Sequence, residues 1–235
     1  MPTPHQPPPD QPPQLDWRDG AIPVSRQFDD PYFSLSGGLE ETRHVFLAGN
    51  NLPARWHAPR HRDGFHIAEL GFGTGLNLLA TRLAQASETH PAPPLHFTSF
   101  EAFPMAAPDI ARALQAFPEV ATLTADFLSQ WQTGARTLHF PGLTAQIIIG
   151  DARDTLPRWQ GRADAWFLDG FSPAKNPELW SPALMAEVAH HTAPEGTFAT
   201  YTAAGHVRHS LTEAGFTVTR LPGFGRKRHM TTGHL

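Results

Sequence analysis

The chain has 235 residues, of which 40% are hydrophobic and 17% charged, and these values are ordinary for one globular α/β domain. It contains no cysteine, which excludes disulfide scaffolds, zinc–thiolate sites, iron–sulfur clusters and cysteine nucleophiles. A net charge of −4 gives no global attraction to nucleic acid, so only a local basic patch could bind it.

The sequence gives no signal for a membrane, for secretion or for a metal. No stretch approaches the roughly 20 apolar residues that span a bilayer, and the N-terminus lacks a secretory signal, so we expect a cytoplasmic protein. The 14 histidines are scattered, and only His190 and His191 are adjacent. Adjacent helical positions point in different directions, so we expect no metal site.

The N-terminal quarter divides into a tail and a cap. Residues 1–14 carry proline at seven positions, which predicts a disordered tail without helix or sheet hydrogen bonds. Residues 15–60 place aromatic residues between turn-forming pairs and predict an ordered cap that precedes the main sheet. Within the cap, helical spacing of apolar residues predicts a helix over 39–47 that ends near Gly49.

From Phe65 onward, short apolar runs alternate with helical stretches, which predicts βαβ units and a mainly parallel sheet over 61–235. The last two strands leave no room for a crossover helix, so they should pair antiparallel. This layout is typical of class I methyltransferases rather than dinucleotide dehydrogenases. The predicted strands are 65–69, 95–100, 145–149, 163–168, 196–201, 215–220 and 227–233, and the predicted helices are 75–87, 106–116, 119–131, 179–191 and 205–214.

A glycine-rich turn, ELGFGTGLN at 69–77, joins the first of these strands to a helix. Glycines there permit a sharp turn and a close approach of ligand to backbone. The string alone is a weak signal, because glycine turns between strand and helix are common. Its spacing differs from the G-x-G-x-x-G of pyrophosphate binders, and no phosphate-binding G-x-x-x-x-G-K-[ST] motif occurs, which disfavours dehydrogenases and nucleotide hydrolases.

Acidic residues end or follow three of the predicted strands. Glu69 could accept a hydrogen bond from an ammonium, such as the amino acid end of S-adenosylmethionine. Glu101 stands where an acid binds ribose hydroxyls, although a solvated strand end or a helix cap would also explain it. Asp151 could bind an adenine amino group or cap the following segment, and both interpretations stay open.

The segment DGFSPAKNP at 169–177 follows a buried strand and should overlook the same crevice as the glycine turn. Asp169 could hold and orient an acceptor amine, and Phe171 could stack on a ring. The alternative is that Asp169 only caps the turn. Lys175 is as well explained by a surface role as by a site role.

Seven segments stand out along the chain: PVS at 23–25, FDDPYF at 28–33, GLEET at 38–42, ELGFGTGLN at 69–77, FEAFP at 100–104, WFLDGFSPAKNP at 166–177 and GFGRKR at 223–228. They resemble the methyltransferase domain of the MnmC family, and the similarity covers about residues 15–235. The resemblance implies a class I S-adenosylmethionine-dependent methyltransferase, a Rossmann-like α/β fold. It implies methyl transfer to the exocyclic amine of 5-aminomethyl-2-thiouridine at the tRNA wobble position.

Together with the motifs, the resemblance assigns residues to three tasks. Asp169 and Phe171 are expected beside the acceptor as catalytic residues. The expected cofactor contacts are Glu69, Gly71, Gly73, Thr74, Gly75, Asn77, Glu101, Asp151 and Asp169. The expected contacts to substrate or RNA are Tyr32, Lys175, Arg208, Arg226, Lys227 and Arg228.

Many family members carry a C-terminal FAD-dependent oxidase, whereas this chain stops at Leu235 and has no FAD fingerprint. It therefore resembles the stand-alone form or an isolated domain, and a separate oxidase acting upstream is a candidate partner.

Several alternatives remain open from the sequence. The cations around 226–229 could deter edge aggregation instead of binding phosphates. A pocket lined by Phe171 and Trp180 would lower the pKa of an acceptor amine, whereas Asp169 would raise it. Rival functions are methylation of a small-molecule or protein amine, and an inactive nucleotide-binding module.

Overall fold

A computed structural model describes residues 12–34, 37–58, 61, 63–90 and 92–235, and most of the predicted tail lies outside these residues. The cap begins with an antiparallel sheet of three short strands, β1 (Leu15–Arg18), β2 (Ile22–Ser25) and β3 (Asp30–Pro31). The predicted cap helix is confirmed. It begins as α1 (Gly38–Thr42) and continues as a π-helical turn, Arg43–Leu47, and a 3₁₀ turn.

The main sheet has eight strands among the described residues, in the order β10-β11-β9-β8-β4-β5-β7-β6. The five strands from β9 to β7 run parallel, and β11 pairs antiparallel with both β9 and β10. The predicted parallel sheet with a closing antiparallel hairpin is therefore confirmed. The strands are β4 (Phe65–Leu70), β5 (Leu95–Glu101), β6 (Thr137–Phe140), β7 (Leu143–Ile149), β8 (Ala163–Leu168), β9 (Thr192–Thr200), β10 (Thr217–Pro222) and β11 (His229–His234).

Among the described residues, six helices accompany this sheet, and each predicted helix is present with shorter bounds. The predicted helix 179–191 is divided, because Ser181 caps a new helix by accepting a hydrogen bond from the Leu184 N–H. The short helix α5 was not predicted. The helices are α2 (Leu76–Ala86), α3 (Ala107–Leu114), α4 (Ala121–Trp131), α5 (Ala152–Thr155), α6 (Pro182–His190) and α7 (Gly205–Glu213).

Apolar residues are buried on both faces of the sheet, as expected for parallel strands covered by helices. Along β4, Ile67 packs in the cluster with α2 and α4, whereas Ala68 and Leu70 pack in the cluster with α6 and α7. The strand β4 lies between β5 and β8, and the strand order reverses there: β5 and β7 lie on one side of β4, and β8 and β9 lie on the other. The carboxyl ends of β4, β5 and β8 therefore open a crevice, the usual ligand position in such sheets. Within the described part of the chain, no helix is long and apolar enough to cross a membrane.

Candidate active site

A cavity of about 580 Å³ lies at the carboxyl ends of β4, β5 and β8. Its walls come from the glycine turn, from the segments that follow β5 and β8, from the cap, and from the loop 223–228 between β10 and β11. A cavity of this size accommodates a ligand with the dimensions of a nucleoside. Elements distant in sequence therefore meet around one space.

The glycine turn packs directly against its neighbours. Gly71 and Gly73 have φ values of 85° and 55°, in the region that favours glycine. A Cβ on Gly71 would lie 3.0 Å from the Gly170 Cα, and one on Gly73 would lie 3.2 Å from the Tyr32 ring. Side chains at these two positions would push the turn away from the cavity wall. Gly75, at φ 75°, precedes α2 and does not line the cavity, whereas Thr74 does.

Glu101 lies on the cavity wall and also fastens the glycine turn. Its Oε2 accepts a hydrogen bond from the Gly73 N–H at 2.8 Å, and its Oε1 accepts one from the Phe103 N–H at 2.7 Å. Burial raises the pKa of this carboxyl. A carboxylate has about four lone-pair positions, so Glu101 can accept more than these two bonds, including bonds from hydroxyl donors such as those of a ribose. The predicted cofactor role and the predicted cap role are thus compatible.

Glu69 lies beneath the cavity wall rather than on it. Its side chain is fully buried, and its two oxygens accept hydrogen bonds from Asn77 Nδ2 at 2.8 Å and Ser99 Oγ at 2.6 Å. The structure therefore does not bring Glu69 to the cavity as the sequence predicted. Asn77 lines the cavity instead, and its Nδ2 also donates to Asp169 Oδ2 at 2.8 Å. Glu69 acts on the site by fixing Asn77.

We expect Glu69→Gln to fold and to make stability less dependent on pH. Burial raises the pKa of the Glu69 carboxyl well above 4.5, so the folded protein keeps a proton that the unfolded chain has lost. The free energy of unfolding of the wild type should therefore fall as pH rises above 4.5. Glutamine keeps an oxygen for Asn77 and removes this contribution.

Urea unfolding at about pH 5 and about pH 8 measures the difference between the two proteins. The same pH dependence in both would contradict a raised pKa for Glu69.

Asp169 lines the cavity at the end of β8. Its Oδ1 accepts a hydrogen bond from the Gly170 N–H at 2.8 Å, and its Oδ2 accepts the one from Asn77. Burial, the largest cause, raises the pKa of Asp169 to about 6. The bond to Gly170 fits the predicted turn cap, and exposure to the cavity leaves the carboxyl available to a ligand.

Aromatic rings form the wall beside Asp169. Phe171 stacks on Phe28 with 4.6 Å between ring centroids, and the Tyr32 ring meets Phe171 at 5.0 Å, edge to face. One face of Phe171 is thus already covered by the cap. Trp180 does not line the cavity as predicted: it is 2% exposed and donates its Nε1–H to the Phe171 carbonyl at 2.8 Å. It supports the wall from behind.

Asp151 caps α5, as one of its two interpretations predicted. Its Oδ1 accepts a hydrogen bond from the Arg153 N–H at 2.8 Å, and its Oδ2 lies 2.6 Å from Arg153 Nη2. Asp151 also lines the cavity, so a contact with an adenine amino group stays a prediction.

The predicted RNA contacts are divided between the cavity mouth and the surrounding surface. Arg226 and Lys227 line the cavity, whereas Arg228 is exposed outside it. Lys175 pairs with Asp29 at 2.7 Å, and Arg208 donates to the Ala203 carbonyl at 3.3 Å. Neither of these two lines the cavity.

Arg208 and Arg228 belong to a basic cluster beside the mouth. Desolvation, and then the charges of Arg220, Arg228 and Arg208, lower the pKa of His229, so these three cations are near enough to affect its protonation. Arg220 was not predicted from the sequence, although its place in the closing hairpin could have indicated it.

Glu41 and Tyr201 also line the cavity, and neither was predicted from the sequence to do so. Lys227 Nζ lies 2.8 Å from Glu41 Oε1 and 4.1 Å from the centroid of the Tyr201 ring. The Tyr201 hydroxyl donates to the Gly170 carbonyl at 2.9 Å. Glu41 belongs to α1, whose Thr42 donates to Asn77 Oδ1 at 2.9 Å. The cap helix is thus bonded directly to the site.

Acidic side chains dominate the polar part of the cavity wall. Carboxylates of Glu41, Glu101, Asp151 and Asp169 all line it. Within the residues that the structure describes, no group of histidine, aspartate and glutamate could hold a metal ion. Several carboxylates and a glycine turn suit a positively charged nucleoside ligand, and S-adenosylmethionine, with its sulfonium and ammonium, is one.

Comparison with known proteins supports this ligand. Residues 115–235 match a family model described as S-adenosyl-L-methionine-dependent methyltransferase. The tRNA 5-methylaminomethyl-2-thiouridine biosynthesis bifunctional protein MnmC of Pseudomonas paraeruginosa is 48% identical over 225 residues, 94% of this chain and 34% of that protein. MnmC of Leptospira borgpetersenii is 44% identical, with 93% and 34% coverage. The chain therefore spans about a third of the length of these curated relatives.

A solved structure agrees with the same assignment. MNMC2 from Aquifex aeolicus superimposes with a TM-score of 0.74 and 27% sequence identity, covering 96% of this chain and 72% of that one. The cofactor is S-adenosylmethionine, which the residues on the cavity wall fit by charge and by the open glycine turn. Its fold, its site and the matching family model together show that the chain belongs to the S-adenosyl-L-methionine-dependent methyltransferase family.

Proposed function

We propose that this methyltransferase acts on the primary amine of 5-aminomethyl-2-thiouridine at the wobble position of tRNA. The relatives named above make 5-methylaminomethyl-2-thiouridine, and removal of one methyl group from that product gives the proposed acceptor. The observation that carries the proposal is the placement of Asp169, a carboxylate between an aromatic wall and the glycine turn. That arrangement suits an amine attached to a flat ring.

The chain's residues prepare the amine for methylation. When bound, S-adenosylmethionine would supply an electrophilic methyl group on its sulfonium, with S-adenosylhomocysteine as the leaving group. A primary alkylamine is mostly protonated at neutral pH and must first lose a proton. Asp169, whose pKa is about 6, is a stronger base than an ordinary aspartate and is still mostly ionised at neutral pH. It orients the amine and accepts its proton, while the wall of Phe28, Tyr32 and Phe171 excludes water.

The remaining assignments follow from the same proposal. Glu101 holds ribose hydroxyls, and the glycine turn, Thr74 and Asn77 surround the rest of the cofactor. Arg226 and the basic cluster bind tRNA phosphates. An FAD-dependent oxidase acting upstream supplies the aminomethyl substrate, whether as a separate protein or as another part of a longer one, and the reaction takes place in the cytoplasm.

Methyl transfer to purified tRNA tests the proposal. We expect the protein to add a methyl group to tRNA that carries the aminomethyl intermediate and none to fully methylated tRNA. Calorimetry with S-adenosylmethionine runs in parallel. Cofactor binding without methylation of aminomethyl-tRNA would favour a small-molecule or protein amine as acceptor, and failure to bind the cofactor would favour an inactive module.

A variant of the basic surface tests the proposed tRNA contacts separately from cofactor binding. The double variant Arg226→Glu, Arg228→Glu reverses two exposed charges and leaves Lys227 in place. It should weaken tRNA binding and reduce the slope of log affinity against log salt by roughly 1 to 2, while sparing cofactor affinity. Unchanged tRNA affinity at low salt would place the RNA surface elsewhere.

A further inference from the structure

Lys227 lines the cavity together with Arg226, whereas Arg228 is exposed outside it. The Lys227 side chain reaches from the loop 223–228 to the cap, where its ammonium contacts the Glu41 carboxylate at 2.8 Å. The Glu41 side chain is only 10% exposed, whereas that of Lys227 is 43% exposed. A lysine that only bound phosphates would not need this buried partner.

The groups around the Lys227 ammonium form a cation site. The Tyr201 ring lies 4.1 Å below the ammonium, and its hydroxyl is fixed by the Gly170 carbonyl. Glu41 supplies a carboxylate beside it, and Asp169, next to Gly170, is close enough for its pKa to respond to the charges of both Lys227 and Glu41, after the larger effect of burial. A carboxylate and an aromatic face together recognise alkylammonium ions.

We propose that Glu41, Tyr201 and Asp169 form a subsite for the ammonium group of the acceptor, and that Lys227 occupies this subsite until the acceptor displaces it. Only the identity of the acceptor as an alkylamine rests on the function proposed above. Glu41 and Tyr201 then contribute to substrate specificity, because they select a cation before Asp169 removes its proton.

When the ammonium of the acceptor replaces that of Lys227, the buried Glu41 carboxylate keeps a cationic partner throughout. A buried carboxylate without a partner is costly, and Glu41 would become one if Lys227 left an empty site. The displaced lysine needs a new anion, and it lies between the two exposed arginines of the proposed tRNA surface. A tRNA phosphate can accept its ammonium, so tRNA binding and opening of the subsite favour each other.

A purely structural role for the ion pair makes the opposite prediction. If Lys227 and Glu41 only tie the closing hairpin to the cap, loss of the lysine loosens the cavity and weakens every ligand. If Lys227 competes with the acceptor, loss of the lysine strengthens binding of an ammonium ligand, because the fraction of protein with a free subsite increases.

Benzylammonium is a suitable probe, because it carries an aminomethyl group on a flat ring and has no phosphate. Its affinity is measured by calorimetry with protein saturated with S-adenosylhomocysteine, which fills the cofactor site. We expect Lys227→Met to bind benzylammonium about tenfold more tightly than the wild type. Benzyl alcohol, an uncharged ligand of the same shape, should show no such gain.

Matched variants locate the effect. Lys175→Met makes the same change at the only other lysine of the chain, which pairs with Asp29 outside the cavity, and should leave benzylammonium affinity unchanged. Adding Glu41→Gln to Lys227→Met should abolish the gain. Affinity in Lys227→Met that is equal to or weaker than in the wild type would overturn the proposal, as would a gain that survives the loss of Glu41.

This test needs neither tRNA nor methyl transfer, so it fails independently of the proposed function. Tighter benzylammonium binding without methylation of aminomethyl-tRNA would reject only the assigned acceptor. Methylation of the tRNA without tighter binding would reject only the subsite.

Discussion

Glu101→Ala is expected to weaken S-adenosylmethionine binding by tenfold or more. Hydrogen bonds to a charged acceptor contribute roughly 1.5 to 3 kcal/mol, and about 1.4 kcal/mol corresponds to a factor of ten in affinity. The substitution has a second effect on binding, because the same carboxylate accepts hydrogen bonds from the backbone N–H groups of Gly73 and Phe103. Alanine therefore removes both a ligand contact and the anchor of the glycine turn.

Glu101→Gln separates these two contributions. Glutamine keeps one oxygen, but its amide must face one of the two backbone N–H donors, so half of the anchor is lost along with the charge. We expect an affinity between those of the wild type and the alanine variant. Burial raises the pKa of Glu101, so this carboxylate becomes protonated at a higher pH than an ordinary glutamate does. As pH is lowered, the cofactor affinity of the wild type should therefore begin to fall at that higher pH.

Calorimetry with the cofactor and thermal unfolding measure these effects, with Glu213→Ala, an exposed change at the end of α7, as the control. Unchanged cofactor affinity in a folded Glu101→Ala protein would place Glu101 outside the cofactor site.

The main sheet could be predicted because its strands are apolar runs separated by helices of regular periodicity. The strand β6 and the cap strands could not, because two to four residues are too few for a recognisable alternation. The helix α5 has only four residues and depends on its Asp151 cap. Tertiary pairing decides the structure of such short segments.

The site was predictable where parallel strands end and unpredictable where separate elements meet. Glu101 ends β5 and Asp169 follows β8, and the carboxyl ends of these two strands share one edge of the sheet. Glu69 also precedes the glycine turn, but it is paired with Ser99, two residues before the end of β5, and so faces the interior. Tyr201 follows β9 at the same edge, so its position could have indicated it, whereas Glu41 enters the site only through packing of the cap, which periodicity does not reveal.

Asp169→Asn is expected to reduce turnover on aminomethyl-tRNA by about 10² or more, the usual effect of losing a positioned acid–base group. Asparagine has nearly the same shape and keeps an oxygen for the Gly170 N–H, so cofactor affinity should change little. In the variant, the new amide NH₂ faces the Asn77 Nδ2 group, and both are donors, so the hydrogen bond between the two side chains is lost. Thermal unfolding therefore has to confirm that the variant is folded. Asp154→Asn, an exposed acid on α5, is the matched control.

The pH dependence of the same variant tests the role of the carboxylate. The wild-type rate should fall as pH decreases through about 6, because Asp169 becomes protonated there rather than near 3.8. The asparagine variant has no such group, and it should regain part of its activity as pH rises, because solvent then supplies more of the neutral amine. Single-turnover rates from about pH 5 to about pH 9 distinguish the two proteins. Near-normal rates in the variant would reduce Asp169 to a turn cap, whereas a folded variant that no longer binds S-adenosylmethionine would make Asp169 a cofactor ligand.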